Sequence, residues 1–236
     1  MSPAAIIAIV VGGCLVVFGA IVVMMIWLRR SDAARTAGVL GRLAEQPWTY
    51  EERNDSYAAL YNDRPLPPHF RAEHPIARPP KASAAHHVVT GTHRGRSFLA
   101  AEFDVYLYHR GERIRQRCVW VRTPAARPGL SLQKVLGPQN AINRALGWDY
   151  PKTGDPEFDR RFEVSADDNR FAHAVLHPRM THFLLHEARP FQAVLMIADT
   201  IDLTDPIRDH RDPLDLIPAL DLRCDILDLV PQAVWA

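Results

Sequence analysis

The sequence predicts an α+β protein: an N-terminal transmembrane helix followed by a cytoplasmic domain with a mainly antiparallel sheet and several helices. An uncharged apolar run at residues 4–28 is long enough for a membrane span. Period-two alternation recurs between residues 87 and 135, whereas capping residues and helical periodicity dominate the last third of the chain. Because these strands and helices are grouped rather than strictly alternating, an antiparallel sheet is favoured.

The N-terminal segment, residues 1–30, is predicted to be an uncleaved membrane anchor. At about 1.5 Å per residue, residues 4–28 span roughly 37 Å, which exceeds the ~30 Å hydrocarbon core of a bilayer. A cleaved signal peptide needs a basic start and a shorter apolar core, and no Lys or Arg lies before this run. Trp27 followed by Arg29 and Arg30 is typical of a stop at the membrane surface.

The positions of the basic residues predict the orientation of the anchor in the cell membrane. Arginines follow the span and none precede it, so the positive-inside rule places the N-terminus outside and the C-terminal domain in the cytoplasm. Small residues recur at four-residue spacing at Ala4, Ala8 and Gly12. Such a stripe permits a weak homodimer of membrane helices, although alanine and glycine are also simply common in bacterial anchors.

Composition argues against several classes of protein. The 236 residues carry a net charge of +1, which gives no field that favours nucleic acid. Cys14, Cys118 and Cys224 lie far apart, so they form neither a disulfide framework nor a zinc motif, and they fit a reducing compartment. Arginine greatly outnumbers lysine, which indicates a GC-rich bacterial genome.

The soluble part is predicted to begin with a juxtamembrane helix over residues 31–47, capped by Ser31 or Asp32. A single soluble α+β domain then covers residues 48–236, with a short helix at Asn54–Tyr61. Six prolines between residues 64 and 85 exclude regular helix and central strand, so this stretch is predicted to be a Pro-rich linker or loop.

Alternating polarity predicts a β-meander after that linker. Its strands are expected at 87–90, 98–108, 114–121 and near 130–135, with a glycine-containing turn at His93–Arg96 and a short helix at Gln139–Leu146.

The C-terminal third mixes helices and strands. A strand is expected at Phe158–Val164, and a strand pair at Phe191–Ile197 and Thr200–Leu203, joined near Ala198. Helices are expected from Asp167 or Asp168 to Leu176, from Pro178 to Glu187, and from Asp212-Pro213 towards Val230. The last helix should bury a stripe made of Ile217, Leu220, Cys224 and Leu227, should be kinked by Pro218 or begin there, and should present an acidic face made of Asp221, Asp225 and Asp228.

Histidines four residues apart are the best local case for a metal site. His182 and His186 share a helix face, the spacing that zinc sites on helices use, and Glu187 follows them. His173 and His177 have the same spacing, but Pro178 ends that helix. A catalytic zinc needs a third ligand, and none is evident, so a solvated or packed helix face is the preferred interpretation.

Two further clusters are candidate ligand sites. Asp199, Asp202 and Asp205 do not follow the EF-hand pattern, so a turn with surface aspartates is expected. The segment Gly91–Arg96 places two arginines beside glycines and would suit an anion or a lipid headgroup, but a plain hairpin turn is the simpler interpretation.

No nucleophile elbow, dinucleotide fingerprint or phosphate loop occurs, so no catalytic, cofactor-binding or metal residue is assigned and no cofactor is expected. The predicted function is therefore a membrane-anchored binding or scaffold domain rather than an enzyme. Its partners would be the bilayer, through residues 4–28, and a protein at the inner membrane face. A membrane-tethered enzyme of unrecognised type, metal-dependent or not, and a lipid- or anion-sensing module remain as alternatives.

Four segments carry a resemblance to a known group of sequences. They are WTYEERNDSYAALY, VVTGTHRGRSFLAAEFDVY, FDRRFEVSADDNRFAHAVLHPRM and LDLIPALDLRCDILDLVPQAVW. Together they resemble uncharacterised, membrane-anchored actinobacterial proteins that have no assigned activity. The resemblance implies one recurring architecture over most of residues 48–235 and transfers no catalytic residue.

Overall fold

A six-stranded antiparallel sheet organises the larger part of this chain, in a computed structural model that describes residues 18, 21, 24, 25, 27, 34–68, 70, 78–108, 110–135 and 152–236. The α+β class with a mainly antiparallel sheet and several helices is confirmed. The chain forms two compact units, Met1–Glu45 and Gln46–Ala236.

The first unit contains the predicted anchor, most of which lies outside the described residues. Its described positions between 18 and 27 are helical and exposed, and residues 34–44 form a helix within the range expected for the juxtamembrane segment. No helix in the described part of the chain has the length and apolarity that a membrane span requires.

The strands of the second unit are joined in the order β1-β2-β3-β4-β5, and β6 also pairs with β4. They are β1 (Thr49–Arg53), β2 (Lys81–His93), β3 (Arg96–Leu107), β4 (Glu112–Lys134), β5 (Phe162–Ala166) and β6 (Ala193–Thr204). The helices are α1 (Ser56–Asn62), α2 (Pro156–Arg161), α3 (Asn169–Val175), α4 (Pro178–His186) and α5 (Pro213–Leu229), followed by a 3₁₀ turn at Gln232–Val234.

Strand β4 is the central strand of the sheet and pairs with three other strands. It pairs with β3 through residues 112–121 and with β6 and β5 further along. The sequence predicted two separate strands here, at 114–121 and near 130–135, and Pro124 and Pro128 lie between them. The structure instead continues as one strand, since the prolines fall where the register with β6 shifts and no regular ladder bond is needed.

Two other boundaries were predicted wrongly, one of a linker and one of a strand pair. The linker predicted over residues 64–85 ends earlier, because β2 already begins at Lys81 and buries Ala82 and Ala85 in the core. The strand pair predicted around Ala198 is one strand, β6. Ala198 has a φ of 51° and pairs with Arg127 across a register shift, so it makes a bulge where a turn was expected.

The strand predicted at Phe158–Val164 is a helix for its first half. The Asp155 side chain accepts hydrogen bonds from the backbone N–H groups of Glu157 and Phe158, and Pro156 occupies the first helical position, so α2 begins here. The chain becomes a strand only at Phe162, whose ring stacks on Phe158 with centroids 4.5 Å apart.

The other capped helices were predicted with nearly correct ends. Asp168 caps α3, Pro178 opens α4, and Asp212 caps α5, which continues through Pro218 to Leu229. Helix α5 buries more than a single apolar stripe, because Arg223 is fully buried as well. The helix predicted at Gln139–Leu146 lies outside the described residues.

One face of the sheet forms an aromatic core beneath α1. The rings of Tyr61 and Phe103 lie 5.0 Å apart, and those of Phe103 and Trp120 lie 5.3 Å apart. Ala58 of α1 packs into the same cluster, which includes the alternate residues Ala101 and Val105 of β3. Helix α5 contacts β4 and β6. The aromatic core therefore fixes α1 over the middle strands, where the cleft described next opens.

Candidate functional site

A half-open cleft of about 180 Å³ lies between α1 and the strands β2, β3, β4 and β6. Its wall combines aromatic and aliphatic side chains with hydroxyls and two arginines. The principal lining residues are Tyr57, Leu60, Arg64, Trp120, Arg122 and Thr200. We call this concavity the Trp120 cleft.

Arg64 is held on one wall of the Trp120 cleft. Its guanidinium carbon lies 4.1 Å from the centre of the Trp120 ring, which is a cation–π contact. A terminal nitrogen donates to the Thr200 hydroxyl at 3.0 Å. Because α1 ends only two residues earlier, these contacts tie the end of α1 to β4 and β6.

Behind Trp120 the structure contains a buried chain of charges. The indole Nε1 donates to the Asp202 carboxylate at 3.0 Å, and Arg223 lies 3.6 Å from the other oxygen of that carboxylate. Arg223 also makes two hydrogen bonds to Asp205, at 2.7 and 3.0 Å. The contacts between Arg223 and Asp205 form a bidentate pair of buried side chains, which adds geometric specificity as well as energy.

Arg223 occupies the point where β4 and β6 separate. The ladder between these strands ends at Val121 and Ile201. Arg223 donates to the carbonyls of Val119 and Leu203, each two residues further along its strand. The guanidinium thus satisfies carbonyls that would otherwise be buried without a donor, and through Asp202 it supports Trp120 from behind the cleft.

Two buried titratable groups near Trp120 have pKa values shifted by burial. Burial raises the pKa of the Asp202 carboxyl, with Arg223 and Arg64 acting in the opposite direction. Burial also raises the pKa of the Cys118 thiol far above its usual range, which disfavours the reactive thiolate. Arg122 is paired with Asp199 at the rim.

A second buried polar contact closes the loop before α5 onto β2. His210 is 1% exposed, and its Nε2 donates to the His87 carbonyl at 2.6 Å. His87 has a φ of 50° at a bulge in β2, and its ring accepts or donates a hydrogen bond at 3.0 Å with the Tyr50 hydroxyl. Burial lowers the pKa of His210 to about 4, so the ring is neutral near pH 7.

The histidine pair on α4 lies on an exposed helix face. The rings of His182 and His186 are exposed and stack on each other with centroids 4.2 Å apart, and Glu187 is paired with Arg189. His177 instead bonds to the Leu229 carbonyl at 2.9 Å. Within the described ranges, no three His, Cys, Asp or Glu side chains come together as metal ligands would.

The aspartates of β6 and the loop after it are not the surface turn that the sequence suggested. Asp199 pairs with Arg122 at the rim, but Asp202 and Asp205 turn inward to Arg223. The side chain of Asp205 is only 7% exposed. The expectation failed because it did not anticipate a buried arginine on α5.

The Gly91–Arg96 segment is the tip of the β2–β3 hairpin. Arg94 and Gly95 both have positive φ, 49° and 77°, which makes a two-residue type I′ turn. The arginines are not free for an anion, because Arg94 pairs with Asp225 and Asp228 and Arg96 pairs with Asp228. The predicted acidic face of α5 is therefore the docking surface for this hairpin.

Sequence reasoning missed the residues that build the Trp120 cleft. Arg64 follows a short helix and precedes a Pro-rich stretch, and nothing in its neighbours indicates a ring contact with Trp120. Arg223 carried a usable signal: it stands between Leu222 and Cys224 on a helix whose apolar positions are buried, where a charge needs a partner.

The geometry defines an α+β protein with a small, preformed cleft of mixed aromatic and cationic character. No family model and no curated protein matches the sequence. Among solved structures, the chain is similar to the crystal structure of the mycobacterial trehalose monomycolate transport factor A, TtfA. The TM-score is 0.48 at 12% identity, over 82% of this chain and 97% of that chain. A similarity of this extent carries no conclusion about activity.

Proposed function

We propose that this chain is a membrane-tethered binding module whose cytoplasmic domain engages a protein partner through the Trp120 cleft. The observation that supports it most is the size of the cleft together with its lining. Small-molecule sites usually enclose about 300–1,000 Å³. A cleft of about 180 Å³ suits one large side chain instead.

The lining fits an anchor side chain of a partner protein. Hot-spot pockets are typically bounded by aromatic residues and arginine and surrounded by a polar rim. Trp120 and Arg64 supply the first part, and the hydroxyls of Thr90 and Thr200 lie beside them. Leu60 is 42% exposed at the edge, so a partner would cover apolar surface on binding.

The surrounding contacts favour binding over catalysis. Asp202 and Arg223 are paired with each other behind Trp120, and Arg122 is paired with Asp199 at the rim. These charged side chains therefore stabilise the walls of the cleft. A cleft whose walls are held by such contacts is preorganised, and preorganisation lowers the entropic cost of association.

The anchor half of the proposal rests on residues 4–28 and the arginines that follow them. Confinement at the inner face of the membrane would raise the effective concentration of the domain for partners located there. The similarity to membrane-anchored actinobacterial proteins is consistent with this arrangement and stays a prediction.

Topology can be tested with reporters fused after Ala236 in a bacterial host. Because the positive-inside rule places this end in the cytoplasm, we expect a bright fluorescent-protein fusion and an inactive alkaline-phosphatase fusion. Both fusions should sediment with membranes. An active phosphatase with a dark fluorescent fusion would show the opposite orientation. Recovery of both fusions in the soluble fraction would show that residues 4–28 do not anchor the chain in a membrane.

Binding at the cleft can be tested by placing a photo-crosslinking amino acid at Leu60 of the full chain, in cells that express it. We expect one crosslinked species of defined mass. Ser97→Trp, which fills the cleft from its rim, should weaken that species by about tenfold or more, as loss of a hot-spot contact does.

Two controls separate the cleft from the rest of the surface. The same crosslinker at Leu214, which is 69% exposed, should not give this species. Ser83→Trp places an equally large ring at another exposed serine and should leave the species intact. A crosslink that survives Ser97→Trp, or that forms equally from Leu214, would rule out the cleft as the binding site.

A further inference from the structure

The far end of the β3–β4 hairpin carries an exposed group of aromatic and basic side chains that the proposed function does not use. Tyr106 and Tyr108 are 36% and 39% exposed, and their rings meet edge to face at 4.9 Å. Basic side chains surround them. We call the set Arg78, Lys81, Tyr106, Tyr108, Arg110 and Arg113 the tyrosine–arginine patch.

The register of the sheet places these residues together. Lys81, Tyr106 and Arg113 are direct cross-strand partners on β2, β3 and β4, so their side chains stand in one row. Tyr106 alternates with the buried Val105, so this row points away from the core beneath α1. Tyr108 follows on the same side, and Arg78 lies 6.0 Å from its ring.

The patch retains positive charge after its local carboxylates are counted. Further along the same face, Asp104 pairs with Arg115, and Glu102 pairs with Arg117. At the tip, Glu112 lies 3.6 Å from Arg110. Over the described part of the chain, no ion pair to a carboxylate involves Arg78, Lys81 or Arg113, and each of the three is exposed.

The two ends of the sheet therefore differ. At the β2–β3 tip the aspartates of α5 neutralise Arg94 and Arg96, whereas at the β3–β4 end the cations face solvent. If either end meets an anionic surface, the charges favour the β3–β4 end.

We propose that the tyrosine–arginine patch contacts the anionic headgroups of a lipid bilayer. Tyrosine is favoured at the level of headgroups, where its ring is partly buried and its hydroxyl stays hydrated. Each nearby Lys or Arg adds attraction to an anionic leaflet. The patch lies at the end of the β3–β4 hairpin, where its side chains are exposed.

A single-stranded nucleic acid would also be attracted by arginine and tyrosine, but the geometry favours lipid. Nucleic-acid platforms offer free ring faces on which bases stack, set along a groove that follows the backbone. Here Tyr106 and Tyr108 contact each other, which covers part of their ring surface.

The test uses the full chain with Cys14→Ser and a fluorophore at Glu112→Cys; Cys118 and Cys224 are buried and resist labelling. The labelled chain is reconstituted into phosphatidylcholine vesicles that contain a headgroup nitroxide lipid, with or without phosphatidylglycerol. We expect strong quenching only in vesicles that contain phosphatidylglycerol. This quenching should disappear in ~1 M NaCl, because the Debye length is then about 3 Å and the attraction between charges is screened.

Lys81→Gln with Arg113→Gln should weaken the contact by about thirty-fold, since two attractive charges are removed. Arg170→Gln with Arg179→Gln removes two exposed charges from α3 and α4 and should leave quenching unchanged. Equal quenching in both lipids, no quenching in either, or equal losses in the two double variants would overturn the proposal. So would binding of a single-stranded oligonucleotide that is tighter than the lipid contact and sensitive to Lys81→Gln with Arg113→Gln.

Vesicle flotation keeps this result separate from the anchor. A chain that fails to float with pure phosphatidylcholine would count against the span at residues 4–28. The patch is then tested by adding the same chain from outside, and quenching by phosphatidylglycerol vesicles is still expected.

Discussion

Replacing Arg223 with methionine is expected to lower the free energy of unfolding by about 3–5 kcal/mol, the usual cost of breaking a buried ion pair from one side. Methionine has a similar length, so it leaves little cavity. It leaves the Asp205 carboxylate, which is 7% exposed, without its bidentate partner. It also leaves the carbonyls of Val119 and Leu203 without their donor.

The measurement is urea unfolding of the full chain in mild detergent, followed by tryptophan fluorescence. Arg179→Met is the matched control, because this arginine is exposed on α4 and its loss should cost less than about 0.5 kcal/mol. Adding Asp205→Asn to Arg223→Met should restore part of the lost stability, since it removes the orphaned negative charge. An unfolding midpoint of Arg223→Met equal to that of the control would show that the buried pair is not net stabilising.

Acid should destabilise the domain through His210, with a loss on the order of 3 kcal/mol. The folded pKa is about 4, whereas the unfolded value is 6.5. The unfolded chain therefore binds a proton first as pH falls, so the stability is complete above pH 6.5 and is lost between pH 6.5 and 4. The cause is burial. Nε2 already donates to the His87 carbonyl, so a second proton would be added to the buried Nδ1. In the described ranges no acceptor lies beside Nδ1 to bind the resulting N–H group.

His210→Gln tests this prediction because an amide N–H can still donate to the His87 carbonyl but does not titrate. Between pH 8 and pH 5, we expect the wild-type chain to lose about 2 kcal/mol more than the variant. His182→Gln, at an exposed histidine, should follow the wild-type pH dependence. If His210→Gln loses as much stability in acid as the wild-type chain, the acid sensitivity arises elsewhere.

Local signals in the sequence predicted much of the fold. Asp168, Asp212 and Pro178 predicted the starts of three helices because caps and prolines act within one turn of the chain. The errors lie where the local structure depends on pairing with a strand that is distant in sequence. Ala198 behaves as a bulge because β4 continues past it, and Pro124 is accommodated because the ladder shifts there.

The candidate site was less predictable for the same reason. Arg64, Trp120 and Asp202 come from separate parts of the chain and meet only when β4 and β6 pair. The acidic face of α5 was visible as helical periodicity. That it neutralises Arg94 and Arg96 required knowing that the β2–β3 hairpin reaches this helix.

The role of Arg223 at the end of the β4–β6 ladder also has a consequence for synthesis of the chain. Strand β4 is complete at Lys134, but β6 pairs with its second edge only after it has been made through Thr204, and Arg223, which binds the Val119 carbonyl beyond that ladder, is made roughly 90 residues after Lys134. At ~5–20 residues per second this delay is about 5–18 s. For the part of that interval before β6 is made, one edge of the longest strand in the described chain has unpaired backbone groups, which is the state in which strands join neighbouring chains. Truncation before β6 would leave that edge permanently unpaired, so chains released that early are expected to aggregate rather than persist as a smaller folded domain.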